Sequence, residues 1–201
     1  MDLVEQYQQW RRNGWRMVML GITIITVTVL VIAFTTEQPT PDYSKLGIHL
    51  LLDDGRNSWD VALWDEHLTV AGDMLPAGGY VVQLVRMDDL DADKWQAFLD
   101  LAYDKQLTPI LRLATTYDTD TSTWSPPPTD DDGHYNSLAK SYADFITALD
   151  WHTDEHFVVL LNEPNNGHEW GGQPDPTAYA QFVMDVAPVL KSADENAIIL
   201  N

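Results

Sequence analysis

From residue 45 onward the chain alternates between two kinds of apolar pattern. Short continuous apolar runs occur at "KLGIHLLLD" (45–53), "GGYVVQLVRM" (78–87), "LTPILRLAT" (107–115), "HFVVLLNEP" (156–164) and "AIILN" (197–201). Runs of that length, rich in valine, isoleucine and leucine, predict strands. Between them the spacing becomes helical. A helix is expected over 59–74. Another is expected over 91–106, where Trp95, Phe98, Leu99 and Ala102 recur at i, i+3, i+4 and i+7 behind an acidic start that suits the helix dipole. A third carries Leu138, Tyr142, Phe145, Ile146 and Leu149 on one face. A fourth, over 175–196, carries Tyr179, Phe182, Val183, Val186 and Leu190, with Pro188 as an expected kink. The stretch 116–136 reads as one long loop.

Strict β-α-β-α order with apolar strands predicts an α/β fold: a parallel sheet buried on both faces under helices. An open doubly wound sheet and a (β/α)8 barrel both satisfy that pattern. A dinucleotide site is not expected, because "LLDDGRNSW" after the first strand has one glycine. In both architectures chemistry collects at the carboxyl ends of strands. Those ends are Asp53–Asp54, Arg86–Met87, the 115–136 loop and Asn162–Glu163.

The first 44 residues follow different rules. Met17–Phe34 is 18 residues without a charge, and at roughly 1.5 Å per residue it nearly spans a hydrocarbon core of about 30 Å. Thr35 and Thr36 extend it. The chain divides into a cytoplasmic segment 1–16, a transmembrane helix 17–36, a linker 37–44 stiffened by Pro39 and Pro41, and a domain over 45–201. Trp10 and Trp15 lie at an expected aromatic belt. Arg11, Arg12 and Arg16 precede the apolar run, whereas Glu37 and Asp42 follow it, which orients the amino terminus inward and the domain outward. The run exceeds a signal-peptide core, and "AFTTEQ" lacks a small-x-small cleavage site, so an uncleaved anchor is expected.

Charge sharpens the division. Residues 37–201 carry 8 basic and 29 acidic side chains, within a chain of net charge −20. Such a domain repels nucleic acid and anionic lipid. The expected partners are membrane lipid along 17–36, other membrane-protein subunits and carbohydrate. Cysteine is absent, which excludes disulfides, thiolate catalysis and cysteine-ligated metals. No cofactor is expected.

The chemistry-bearing stretch is "LLNEPNNGHEW" (160–170). Glu163 follows five apolar residues and Asn162. A carboxyl held at a strand end beside apolar groups has its pKa raised, as a general acid needs. Asn162 suits a substrate hydroxyl. Trp170, Trp124 and Tyr117 offer flat faces for sugar rings, and His168 adds a polar group. On these residues and the element order, 45–201 resembles the clan A glycoside hydrolases, whose (β/α)8 barrels end strand 4 in Asn-Glu-Pro. The resemblance implies a partial barrel of about strands 1–5. It also implies Glu163 as general acid/base and Asn162 as a substrate ligand, with Arg86 matching an arginine near the end of strand 2 that supports the nucleophile.

Retaining hydrolysis needs a second carboxylate about 5–5.5 Å away. The family carries it on strand 7, whereas the sequence to Asn201 reaches strand 5. The leading expectation is therefore a single-span accessory subunit of a larger, energy-transducing type of membrane complex, its hydrolase-like domain not catalytic. The alternatives are a membrane-anchored retaining glycoside hydrolase whose second half lies beyond Asn201, and a carbohydrate-binding remnant. Three other signals are set aside. "HTDEH" (152–156) matches an inverted zinc-protease pattern but straddles a helix end and a strand. "TDDDG" (129–133) lacks full calcium-loop spacing. His49 reads as a satisfied core histidine.

Overall fold

In a computed structural model, the described residues are Asp2, Gln6, Gln9–Arg11 and 46–201. The expected transmembrane helix 17–36 and linker 37–44 lie outside them. Among the described residues no helix is long and apolar enough to cross a membrane. The chain divides into two units, Met1–Asp42 and Tyr43–Asn201. In the first, Gln9–Arg11 are helical and the Gln6 N–H donates to the Asp2 carbonyl at 3.1 Å.

The second unit begins with β1 (Gly47–Leu50), a 3-10 turn (Val61–Leu63) and α1 (Trp64–Met74). It continues with β2 (Tyr80–Arg86), α2 (Ala92–Asp104) and β3 (Thr108–Ala114). A small hairpin follows, β4 (Tyr117–Asp118) and β5 (Thr123–Trp124), then α3 (Asn136–Ala148) and β6 (His156–Leu160). A second 3-10 turn (Gly167–Glu169), α4 (Pro176–Ala193) and β7 (Ala197–Leu200) complete it. The five long strands form one parallel sheet in the order β1-β2-β3-β6-β7. That order runs without the reversal that makes the crevice of a doubly wound sheet.

Local chemistry accounts for the boundaries. The Asp91 carboxylate accepts from the N–H groups of Asp93 and Lys94 and starts α2. Asp175 does the same for Thr177 and Ala178, with Pro176 at the first turn of α4. Both are N-caps, each worth about 1 kcal/mol. Pro188 sits inside α4, where its missing N–H removes one helical bond.

The strands' alternation decides what faces the helices. Val81, Val85, Leu111, Leu113, Val158, Leu160 and Ala197 share one core with Trp64, Leu68, Trp95, Phe98, Tyr142, Ile146, Phe182 and Val186 of the four helices. Burying each of the larger side chains contributes about 1.5–3 kcal/mol. The alternate positions, Val82, Ile110, Phe157, Val159, Ile198 and Leu200, are only half-buried. The expectation of a sheet covered on both faces is thus corrected: all four helices pack on one face. Among the described residues, the β4–β5 hairpin packs on the other, where Trp124 and Tyr117 cover Leu84 and Ala114.

His49 is corrected with it. It lies on the open face of the edge strand β1 and is exposed, not a core residue. Partial desolvation by the neighbouring strand and the charge of Arg112 both lower its pKa. The 116–136 stretch is likewise more than a loop, since it contains the hairpin.

Candidate functional site

The carboxyl ends of β1, β2, β3 and β6 gather the polar side chains that the apolar strands exclude. At the end of β1, Asp53 and Asp54 are buried. Burial works against their ionisation, but their partners outweigh it and hold both carboxyls below the ordinary value. Asp53 receives Lys94 Nζ at 2.8 Å and the Ser58 hydroxyl at 3.1 Å, and Lys94 also reaches Asp89 at 2.5 Å. Asp54 receives Arg56 Nη2 at 2.6 Å and Nε at 3.0 Å, with the backbone N–H of Asn57 at 2.8 Å. Both carboxylates are therefore committed to tying the β1 end in place, Asp53 to α2 and Asp54 to its own turn.

Gly55 turns the chain over Arg86. Its φ is +81°, and a Cβ there would stand 2.3 Å from Arg86 Nη1. Arg86 closes β2. Its Nε is buried 3.2 Å from the Asp88 carboxylate, yet makes no hydrogen bond. Arg112, in β3, shares the same sheet face one row lower, level with Leu84 of β2 and Val159 of β6.

Just beyond β6 two residues with side chains enter the left-handed region, Leu161 (φ +64°) and Glu163 (φ +38°). Such conformations cost on the order of 1–3 kcal/mol in a residue with a side chain, and they concentrate at functional sites. Asn166 holds the turn. Its N–H donates to the Glu163 carbonyl at 2.7 Å and its Nδ2 to Glu163 Oε2 at 3.2 Å. Its Oδ1 accepts from the His168 N–H at 3.1 Å and starts the 3-10 turn that carries Glu169.

The two acidic residues of this loop divide the properties expected of one. Glu163 is exposed, not lodged among apolar groups as expected. Glu169 is half-buried, and its pKa is raised. Burial is the main cause; a hydrogen bond from Asn162 and the charge of Arg112 oppose it, and the charge of Glu163 adds to it. Asn162, Glu163, Glu169, Arg112 and Arg56 thus form one electrostatic cluster, with Arg86 at its edge.

The aromatic residues are placed differently from the expectation. Trp170 is 5% exposed and Trp124 also 5%. Trp170 belongs to the main core, edge-on to Tyr179 at 6.0 Å, and Trp124 packs edge-on to Tyr117 at 5.3 Å. Neither presents an open face for a sugar ring. Tyr117 is half-buried and lies 5.2 Å beneath the Arg56 guanidinium. His168 is exposed on the 3-10 turn. A cleft of about 350 Å³ is lined by Pro164, Asn165, Pro174, Pro176 and Tyr179. The Tyr179 hydroxyl is held by the Asn201 side chain.

Sequence reasoning missed Arg112, Asn166 and the proline-lined cleft. Arg112 had a visible signal: a lone charge inside "LTPILRLAT" is expensive to bury and so marks a special position. The two histidines of "HTDEH" take separate partners, His152 with Asp100 at 2.7 Å and His156 with Asp194 at 2.6 Å. The Asp130 carboxylate of "TDDDG" accepts from the Ser137 N–H at 3.0 Å, and Asp132 accepts from the His134 N–H at 3.1 Å. Among the described residues no group of three or more histidine, aspartate or glutamate side chains is placed to hold a metal ion. No family model matches the chain, and no curated protein matches it.

Proposed function

We infer that residues 46–201 are the carbohydrate-processing part of a clan A-like glycoside hydrolase. In this reading the five β/α units are the first five of a barrel, and Glu163 is its general acid/base. The observation that carries it is the left-handed turn at Glu163, held by Asn166 at the carboxyl end of β6. Strain fixed in place at a strand end is expected where a side chain must be aimed rather than packed. Asn162 then orients a substrate hydroxyl. The proline-lined cleft beside Pro164 accepts the leaving group. Residues 17–36 tether the domain to the outer face of the cell membrane.

The test is hydrolysis of an unactivated alkyl glycoside by the full-length gene product and by Glu163→Gln. Loss of a general acid lowers turnover by about 10²–10⁴-fold. Equal turnover by the two proteins would reject the reading.

A second reading, an accessory subunit of a membrane complex, is favoured by one feature. Leu46, Leu51, Trp59, Val61, Leu63, Val70 and Met74, on or beside β1 and α1, are all exposed. Gentle detergent extraction distinguishes the two: stoichiometric partners support the subunit, and an active lone chain supports the hydrolase.

A further inference from the structure

Residues 46–201 contain three arginines, Arg56, Arg86 and Arg112, and all three converge at the carboxyl ends or open face of the first three strands. The four lysines, Lys94, Lys105, Lys140 and Lys191, are borne by helices or, for Lys105, by a helix cap. Residues 46–201 thus keep their guanidinium groups for one place.

The three differ in what they hold. Arg56 is satisfied by Asp54 at 2.6 and 3.0 Å and stands over the Tyr117 ring. Arg86 has only the unaligned Asp88 carboxylate at 3.2 Å. Arg112 has neither. Among the described residues it makes no hydrogen bond and no ion pair within 4.0 Å, although its Nε is buried; the carboxylates of Glu169, Asp54 and Glu163 act on it only from farther away. Its row on the sheet is otherwise apolar: Leu84, Val159 and Leu200. A half-buried charge with no hydrogen-bonded counter-ion weakens a fold, and an apolar side chain of like volume is normally the better choice there. A cation kept at that cost is explained by an anion that arrives from outside.

The chemistry of the cluster narrows the anion. A planar guanidinium matches a planar carboxylate through two parallel hydrogen bonds. The strongly acidic chain repels simple anions at long range. The ligand must therefore bring further binding groups, and hydroxyls facing Asn162 and Glu163 supply them. We propose that Arg112, with Arg86 beside it, binds the carboxylate of a uronic acid residue in the saccharide that this site takes. The proposal rests on the carbohydrate reading above and names its substrate class.

Binding of methyl β-D-glucuronide and methyl β-D-glucoside to the full-length protein, at low ionic strength by calorimetry, tests it. The glucuronide binds at least ten-fold more tightly, and Arg112→Met abolishes that preference while its melting temperature stays level or rises. Arg112→Lys keeps the charge, loses the fork and loses most of the preference. A purely structural arginine would show the reverse: a lower melting temperature in Arg112→Met and an unchanged preference. Equal binding of both sugars overturns the acidic-sugar assignment alone, whereas binding of neither removes the carbohydrate reading as well. Tighter binding of glucose 6-sulfate than of the glucuronide overturns the choice of a carboxylate.

Discussion

Asn166 grips Glu163 at both ends: its N–H donates to the Glu163 carbonyl at 2.7 Å, and its Nδ2 donates to Glu163 Oε2 at 3.2 Å. One residue thus closes the turn and aims the carboxylate. The same side chain caps the next 3-10 turn through the His168 N–H, so the orientations of Glu163 and Glu169 are linked through it.

Asn166→Ala removes the carboxylate bond and the cap together. Loss of a cap of this kind costs about 1 kcal/mol. A urea titration of the variant is expected to show that loss. Turnover is expected to fall by more than the stability change explains, because the carboxylate loses its aim.

Glu163→Gly separates strain from function. The Glu163 backbone is at φ +38°, a region where a side chain is penalised by roughly 1–2 kcal/mol and glycine is not. The variant is expected to gain about 1 kcal/mol in chemical denaturation while losing all turnover. A loss of stability would show that the turn is not strained.

Gly55→Ala tests the seat of Arg86. The new methyl would stand 2.3 Å from Arg86 Nη1, at a backbone φ of +81°. Both effects oppose the substitution, and a destabilisation of at least about 1 kcal/mol is expected. Displacement of Arg86 adds a weakened affinity for an acidic sugar, measurable by the same calorimetry.

Asp54 sets a pH dependence. Burial disfavours its charge, but the Asn57 N–H, the Arg56 side chain and the Arg56 N–H outweigh burial and hold its pKa below 3.8. A carboxyl depressed in the folded state contributes fully above its unfolded pKa. That contribution is lost as pH falls below about 3.8 and through the folded value. Unfolding free energy followed from pH 6 down to pH 2.5, on the order of the carboxyl range, is expected to drop more steeply in the wild type than in Asp54→Asn. Asp53 and Asp185 are shifted in the same direction and steepen the fall in both proteins.

Much of this fold was legible in the chain because its periods are clean. Trp95, Phe98, Leu99 and Ala102 were read as one helical face and are all buried in α2. The five strand runs contain the five strands of the sheet. The β4–β5 hairpin was not legible, since strands of two residues leave no period to detect. His49 was misread because an apolar run implies burial on two faces, whereas β1 is an edge strand with one face open. Trp124 and Trp170 were read as sugar platforms. Large rings in loops pack inward when a cluster is near, here Leu84 and Ala114 for one and the main core for the other. The placement of Asn162 and Glu163 at a strand end followed from the strand run. Their link to Glu169 and Arg112 did not, because it depends on a turn conformation and a sheet register that single-residue patterns do not encode.

The central claim, that Glu163 exchanges the proton, is tested most directly by azide rescue of Glu163→Ala in the full-length protein. With a dinitrophenyl glycoside the leaving group needs no acid, and azide, unlike water, needs no base to attack the glycosyl-enzyme, so the anion bypasses the missing carboxylate. Added azide is expected to restore turnover and to release a glycosyl azide. An active Glu163→Ala enzyme, or a wild-type enzyme whose inactive variant azide fails to rescue, would contradict it.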